Sequence, residues 1–402
     1  MNYIKLKERK GTLMLNLLRK SRAISRFAIV LSALYAGHAS AQTQQNRPIK
    51  FVNVVDSTQG LSDFSQFPAI NNQGSIAFLA QKGTDQKVFK WDRRNLNALA
   101  TTTDPIASFS DDVAINDAGT VVFRAALTTG RAVAIFTNDG VTTKTIVNSA
   151  DQGFPGFGIG TASINSSGTV AFQAFRSGFR SNVIFTGDGG NITPVLDTLT
   201  SDFENFGAVA INASGKIVFE GDLKGGESGI FLVKPNQEGE GKNGTGPASV
   251  IDVVDSSNHP EFFQYGDPVI NSAGIVADFG AGGITLEVFS GNGKGIVARN
   301  DPVSNLFINT EHPSINSHGA IAFSVVKANG EQCIFVELTG GASLVPVLQT
   351  GDLLFGSSVT AVSVGRFAFN DHFRLAFEYE LLDGRSGIAV ASLSGGEEDQ
   401  DE

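Results

Sequence analysis

Seven aspartates recur at a nearly constant distance ahead of a repeated asparagine, and acids repeated in this way suggest oxygen ligands for a cation. Asp56, Asp104, Asp151, Asp197, Asp255, Asp301 and Asp352 precede Asn71, Asn116, Asn165, Asn212, Asn271, Asn316 and Asn370 by 15, 12, 14, 15, 16, 15 and 18 positions. Ca²⁺, which takes six to eight oxygen ligands, is the cofactor such a set implies. The competing reading is that each carboxylate caps the backbone of its own turn. The repeated asparagines raise the same choice between a ligand-binding ring and a turn, and the turn accounts for them together with the glycine three residues on.

Chemistry beyond ligation has little to draw on. Past residue 41 the chain has four histidines, His259, His312, His318 and His372. His318 and His372 fall inside repeated turns. His312, between Glu311 and Pro313, is placed to approach an inner strand, where it would serve a metal site or act as a general base. No HExxH, GxSxG, cysteine-rich metal pattern or phosphate-binding glycine loop stands in a fitting context, so catalytic residues stay unassigned. The segment TGDGGN, residues 186–191, resembles a calcium loop but lacks its terminal acid and fits a hairpin turn.

These residues are carried by a repeat. The phrases AINNQGSIAFLA, AINDAGTVVFRA, SINSSGTVAFQA, AINASGKIVFEG, VINSAGIVADFG, SINSHGAIAFSV and AFNDHFRLAFEY align on the seven asparagines, at steps of 45, 49, 47, 59, 45 and 54 residues. Asn71/Gly74, Asn116/Gly119, Asn165/Gly168, Asn212/Gly215, Asn271/Gly274 and Asn316/Gly319 each read as a turn. The asparagine bonds nearby backbone, and the glycine accepts a positive φ. Alternating segments such as TVAF follow, then segments such as VIF and PVL separated by Gly-rich hairpin signals.

A period near 50 with four short strands per repeat predicts an all-β fold, a seven-bladed β-propeller of four-stranded antiparallel blades. IKFVNVVDS, residues 49–57, reads as a fourth strand without its first three, and the chain ends on a third strand, SGIAVASL. The N-terminal strand is therefore expected to complete the C-terminal blade and close the ring, which removes exposed sheet edges. Most of the 31 Phe are expected between blades.

The spacing Asn71-x-x-Gly74-x-x-x-Phe78 recurs at Asn116/Gly119/Phe123, Asn165/Gly168/Phe172, Asn212/Gly215/Phe219 and Asn316/Gly319/Phe323. It resembles the bacterial exported tandem-repeat proteins named for the NxxGxxxF pattern, a family of uncharacterised function. The fifth copy departs from it with Asp278 in place of Phe, and the seventh with Phe373 in place of Gly. The resemblance implies export and supplies no activity.

Composition and the chain ends set the remaining bounds. A basic segment followed by FAIVLSALYAG and Ala39-Ser40-Ala41 reads as a signal peptide over residues 1–41, with Met1 or Met14 as the start. Residues 42–47 form a linker, 48–394 the propeller and 395–402 an acidic disordered tail. Removing the signal leaves 22 basic against 39 acidic residues, a net charge of −17. That balance argues against nucleic acid as a partner, and the apolar run is too short for stable membrane insertion. Cys333 is the single cysteine, so no disulfide forms within the chain.

The sequence thus points to an exported protein, periplasmic, cell-surface or extracellular. It is expected to be a monomeric, non-catalytic binding or scaffold propeller for a protein, glycan or small-molecule ligand. The alternative is a metal-dependent hydrolase, lyase or lactonase-like enzyme at the channel mouth. The seven aspartates are expected on the face opposite the NxxG turns, where the blade-to-blade crossing loops gather.

Overall fold

The computed structural model describes residues 49–393 apart from 131, 153, 155, 158–161, 177–180, 235–248, 256–263, 283–284, 291–294, 300–308, 328 and 339–343. The expected signal peptide, the linker, the acidic tail, Asp301 and most of the polar segment KPNQEGEGKNGTGPAS lie outside the described residues.

The strand-forming patterns resolve into antiparallel sheets. In the first, Ala69–Ile70, Ile76–Lys82, Asp85–Trp91 and Leu96–Thr101 pair in chain order. Sheets follow at residues 106–148, 156–197, 203–255, 264–299 and 309–349. The last sheet, residues 353–392, also receives Lys50–Asp56, which pairs with Ser386–Ser392 from Lys50↔Ser392 to Asp56↔Gly387. Gly387 is required there, since a Cβ would sit 2.3 Å from the Val55 carbonyl oxygen. Tyr379 ties the same strand by donating to Asn53 Oδ1 at 3.1 Å. The fold is all-β and its arrangement is that of a β-propeller.

The motif phenylalanines explain the packing. Phe78, Phe123, Phe172, Phe219, Phe323 and Phe377 are fully buried. In five sheets the motif ring stacks on a cross-strand phenylalanine, Phe78 on Phe89, Phe123 on Phe136, Phe172 on Phe185, Phe219 on Phe231 and Phe323 on Phe335. Such pairs contribute about 0.5–1.5 kcal/mol each beyond the area they bury.

Each sheet then packs on the next through its own apolar cluster. Leu79 meets Val113 and Phe123 between the first and second, and Ile184 meets Phe206 and Phe219 between the third and fourth. Ile334 meets Phe377 between the sixth and seventh, and Ile388 meets Phe78 between the seventh and first.

The repeated turn does more than reverse the chain. In each copy the backbone N–H four residues after the asparagine donates to its Oδ1, as from Ser75, Thr120, Thr169, Lys216, Ile275, Ala320 and Arg374. The same side chain's Nδ2 donates to the backbone carbonyl of the next motif asparagine. These bonds run Asn71 to Asn116 (2.9 Å), Asn116 to Asn165 (3.0 Å), Asn165 to Asn212 (3.4 Å) and Asn212 to Asn271 (3.0 Å). They continue Asn271 to Asn316 (2.9 Å), Asn316 to Asn370 (3.3 Å) and Asn370 back to Asn71 (2.9 Å). The seven asparagines form a closed, buried hydrogen-bonded circle.

The glycines complete the turns. Gly74, Gly119, Gly168, Gly215, Gly274 and Gly319 hold φ of 79°, 80°, 84°, 78°, 86° and 82°. Phe373 adopts φ 55° in the seventh copy, a left-handed conformation that glycine accepts without strain.

Candidate functional site

A second register stands four residues before each motif asparagine: Asp112, Ala208, Asp267 and His312 on inner strands, and Phe67 and Arg366 on the segments leading to the asparagine. Their counterpart in the third copy, Thr161, lies outside the described residues. In four sheets the pairing of the inner strand slips at this position, between Phe109 and Val113, Phe206 and Val209, Gly266 and Val269, and Glu311 and Ser314. A bulge of this kind re-aims side chains that an unbroken ladder would stack. His312 carries φ 44°, an uncommon conformation for a residue with a Cβ.

Three of these side chains meet. His312 Nδ1 lies 2.8 Å from Asp267 Oδ2, and the Phe67 ring, from a non-adjacent sheet, stands edge-on to His312 at 4.5 Å. Arg366 crosses from the seventh sheet, and its Nη2 donates to the carbonyls of Val209 (3.2 Å) and Pro268 (2.6 Å). Arg366 is 4% exposed, and its Nε and Nη1 have no hydrogen-bond partner among the described residues. Burial opposes ionisation of Asp267, but the Arg366 charge and the His312 contact outweigh it and hold the carboxyl at about 2.

The next residue, Phe367, packs against four clusters belonging to different sheet pairs, so it lies at the axis. Its carbonyl accepts from the Ile70 N–H at 2.8 Å. Arg366 and Phe367 thus stand side by side where the inner strands of several sheets converge. Gly365 lets this segment approach the first sheet, because a Cβ there would fall 2.9 Å from the Phe67 Cα.

Two acids on the second strands, each eight residues after its motif asparagine, are the half-buried Glu220 and the buried Glu378. Burial, the neighbouring Asp267 and Asp222 push Glu220 up to about 7. Burial and Glu380 push Glu378 up to about 8. The Ser363 hydroxyl donates to the Gln66 carbonyl at 2.8 Å and lies 3.2 Å from Glu378 Oε2.

The repeated aspartates sit elsewhere. Asp56 accepts from the Thr58 N–H and hydroxyl and from Asn53; burial opposes its ionisation, and these bonds bring its pKa below the ordinary value. Asp104 accepts from the Thr128 hydroxyl. Asp197 caps the Leu199 N–H and pairs with Arg176 at 2.9 Å. Asp352 accepts from the Gln349 N–H. Asp151 lies in the helical turn Ser149–Gln152 and Asp255 ends the strand Ser249–Asp255. The four with described side chains are each engaged within their own sheet.

The residues expected to shape turns are likewise held apart from the channel cluster. Each motif glycine donates its N–H to the carbonyl of its own asparagine: Gly74 to Asn71 (3.0 Å), Gly119 to Asn116 (2.9 Å) and Gly168 to Asn165 (3.0 Å). Gly215 to Asn212 (3.0 Å), Gly274 to Asn271 (3.0 Å) and Gly319 to Asn316 (3.1 Å) repeat the bond. A Cβ on Gly274 would meet Lys216 Nζ at 3.2 Å and one on Gly319 would meet Ile275 Cδ1 at 3.3 Å, so both turns rest on the preceding copy's turn or strand. Gly168 and Gly215 have open space at that point. The Asn and Gly pairs are therefore part of the frame, and the chemistry at the axis comes from residues the repeat does not fix.

Among the described residues, no group of three or more His, Cys, Asp and Glu side chains is arranged to hold a metal ion. On the NxxG face a polar, open cavity of about 380 Å³ lies among Asn71, Lys90, Asp117, Gly119 and Asp139. Lys90 Nζ already donates there to the Gly119 and Asp139 carbonyls.

His312 was legible as a channel residue. Glu220, Asp267 and Arg366 were not, because the conspicuous acids belong to the turns. Counting backwards from each asparagine would have exposed the position, since it changes chemistry from copy to copy.

No curated protein matches the sequence. The fold comparison finds a prolyl endopeptidase (TM-score 0.48, 12% identity, 83% of this chain and 47% of that one). It also finds prolyl oligopeptidase B from Galerina marginata (TM-score 0.48, 10% identity, 81% of this chain and 48% of that one). The chain spans about half the length of these enzymes, and the likeness is too loose to bear on function. Among the described residues no helix is long and apolar enough to cross a membrane. The sequence match that does hold covers residues 49–301, and by it the chain belongs to a family of unknown function, DUF7453.

Proposed function

We propose that the chain is an exported, monomeric binding or scaffold module without catalysis. It is a seven-bladed propeller, closed by its N-terminal strand, that engages a protein, glycan or small molecule on the face opposite the NxxG turns. The blade count is supported by the asparagine circle, and the closure by the register of Lys50–Asp56 on Ser386–Ser392. Export is supported by the signal-like N-terminus and by the resemblance of the NxxG phrases to exported repeat proteins.

The observation that carries the binding reading is the cluster at the axis. Arg366 and Phe367 lie beside Asp267 and His312, whose side chains are partly exposed, and ligand sites set a few charged and polar groups among apolar side chains. The second reading, an enzyme at the channel mouth, draws on the 2.8 Å Asp267–His312 contact, the arrangement of an oriented general base.

One assay separates them. Purified protein is offered chromogenic esters, lactones, phosphodiesters and glycosides, with and without Ca²⁺, Mn²⁺ or Zn²⁺, beside Asp267→Asn and His312→Gln. The binding reading expects no turnover that responds to either substitution. Turnover abolished by both would replace it with the enzyme reading.

A further inference from the structure

Arg366 presents a specific chemical demand. Of its five N–H donors, the two on Nη2 are taken by main-chain carbonyls, while Nε and Nη1 meet no acceptor among the described residues. The group is 4% exposed, so bulk solvent does not supply the missing acceptors. Buried donors of a charged group are costly to leave unmatched.

The acceptor they need is uncharged. Asp267 already balances Arg366 and shares its other contact with His312. Glu220 is opposed in its ionisation by Asp267 and Asp222 as well as by burial, so a further anion placed there would meet the same repulsion. A group that accepts from Arg366 and donates to neighbouring carboxyl oxygens is a hydroxyl, and several adjacent carboxyls call for several adjacent hydroxyls. Phe67 adds an apolar surface beside His312. Asp267 and His312 are 25% and 18% exposed, which places them at the opening through which a ligand would enter.

We propose that the cluster of Arg366, Asp267 and Glu220 binds a neutral polyhydroxylated ligand of the saccharide class, with a hydroxyl oxygen accepting from Arg366 and neighbouring hydroxyls donating to Asp267 and Glu220. This rests on the binding reading above and names the ligand chemistry of the same cluster.

The test is calorimetric titration of the full mature chain. The probes are glucose, galactose, mannose, N-acetylglucosamine and their β1,4-linked disaccharides, alongside sodium acetate and inorganic phosphate at matched ionic strength. The expected result is saccharide binding at about millimolar Kd or tighter. It should weaken at least about tenfold in Glu220→Gln and Asp267→Asn, which keep side-chain shape, and be lost in Arg366→Met. Absence of saccharide binding up to about 50 mM would overturn the inference and leave water as the partner of the Arg366 donors. Acetate or phosphate binding that depends on Arg366 would also overturn it, in favour of an anion site. Saccharide binding unchanged in all three variants would place the ligand away from the cluster; that outcome overturns the inference while the binding reading stands.

Discussion

Asn370 donates its side-chain amide to the backbone carbonyl of Asn71 at 2.9 Å, linking the last copy of the repeat to the first across 299 residues of sequence. Each of the seven asparagines makes the same bond to its successor while its Oδ1 holds its own turn. Substituting one therefore loosens a turn and breaks the contact to the next sheet together.

Asn370→Ala and Asn212→Ala should each cost about 2–4 kcal/mol, because each strands buried partners whose individual cost is about 1–3 kcal/mol. Denaturant unfolding measures this. Substitutions at Ser166 or Ala213, inside the turns, should stay within about 0.5 kcal/mol. Equal effects at both kinds of position would show that the circle contributes nothing specific.

Stability should fall as the pH rises from about 5 to 8. Glu378, at about 8, and Glu220, at about 7, bind protons in the folded state that the unfolded chain has released above about 4.5. Their contribution is complete below the unfolded value and is lost through the folded one. Glu378→Gln should flatten the profile of melting temperature against pH over this window; an unaltered slope would show that Glu378 ionises normally. At the acid end Asp267 acts with the opposite sign. Its folded value near 2 gives stability that is present above about 4 and lost as the pH falls towards 2.

The repeated aspartates make a metal prediction. Asp56, Asp197 and Asp352 already accept N–H donors within their own turns, so EDTA is expected to leave the melting temperature unchanged, with no calcium in elemental analysis of the purified protein. A loss of several degrees on chelation, restored by Ca²⁺, would assign these acids to cation binding.

The proposed export makes a further one. N-terminal sequencing of chain recovered outside the cytoplasm should begin at Gln42, after Ala39-Ser40-Ala41. Recovery of chain that still retains residues 1–41 would refute cleavage there.

The all-β propeller arrangement was legible because turn chemistry and strand period are local. Asn71, Gly74 and Phe78 state a turn and a strand within eight residues. The circle of Asn side chains on neighbouring carbonyls was not legible, since its partners lie 45 to 59 residues apart in consecutive sheets. The axial residues were harder still. Asp267 and Arg366 are unrepeated and bracketed by proline, glycine and phenylalanine; a bulge in its strand re-aims Asp267, and Arg366 reaches the same place from a turn in the seventh copy.

The central claim is that the two ends of the chain complete one sheet and so make the ring whose axis carries the site. Its most direct test is the melting temperature of the mature chain lacking residues 49–57. The deletion removes one of the two strands paired with Ser386–Ser392 and strips Val55 from the core cluster it shares with Ile76 and Ile388. The account predicts a fall of about 10 °C or more, given that 1 kcal/mol moves a domain of this size by about 2–4 °C, and aggregation through the bared edge. An unchanged melting temperature would contradict it.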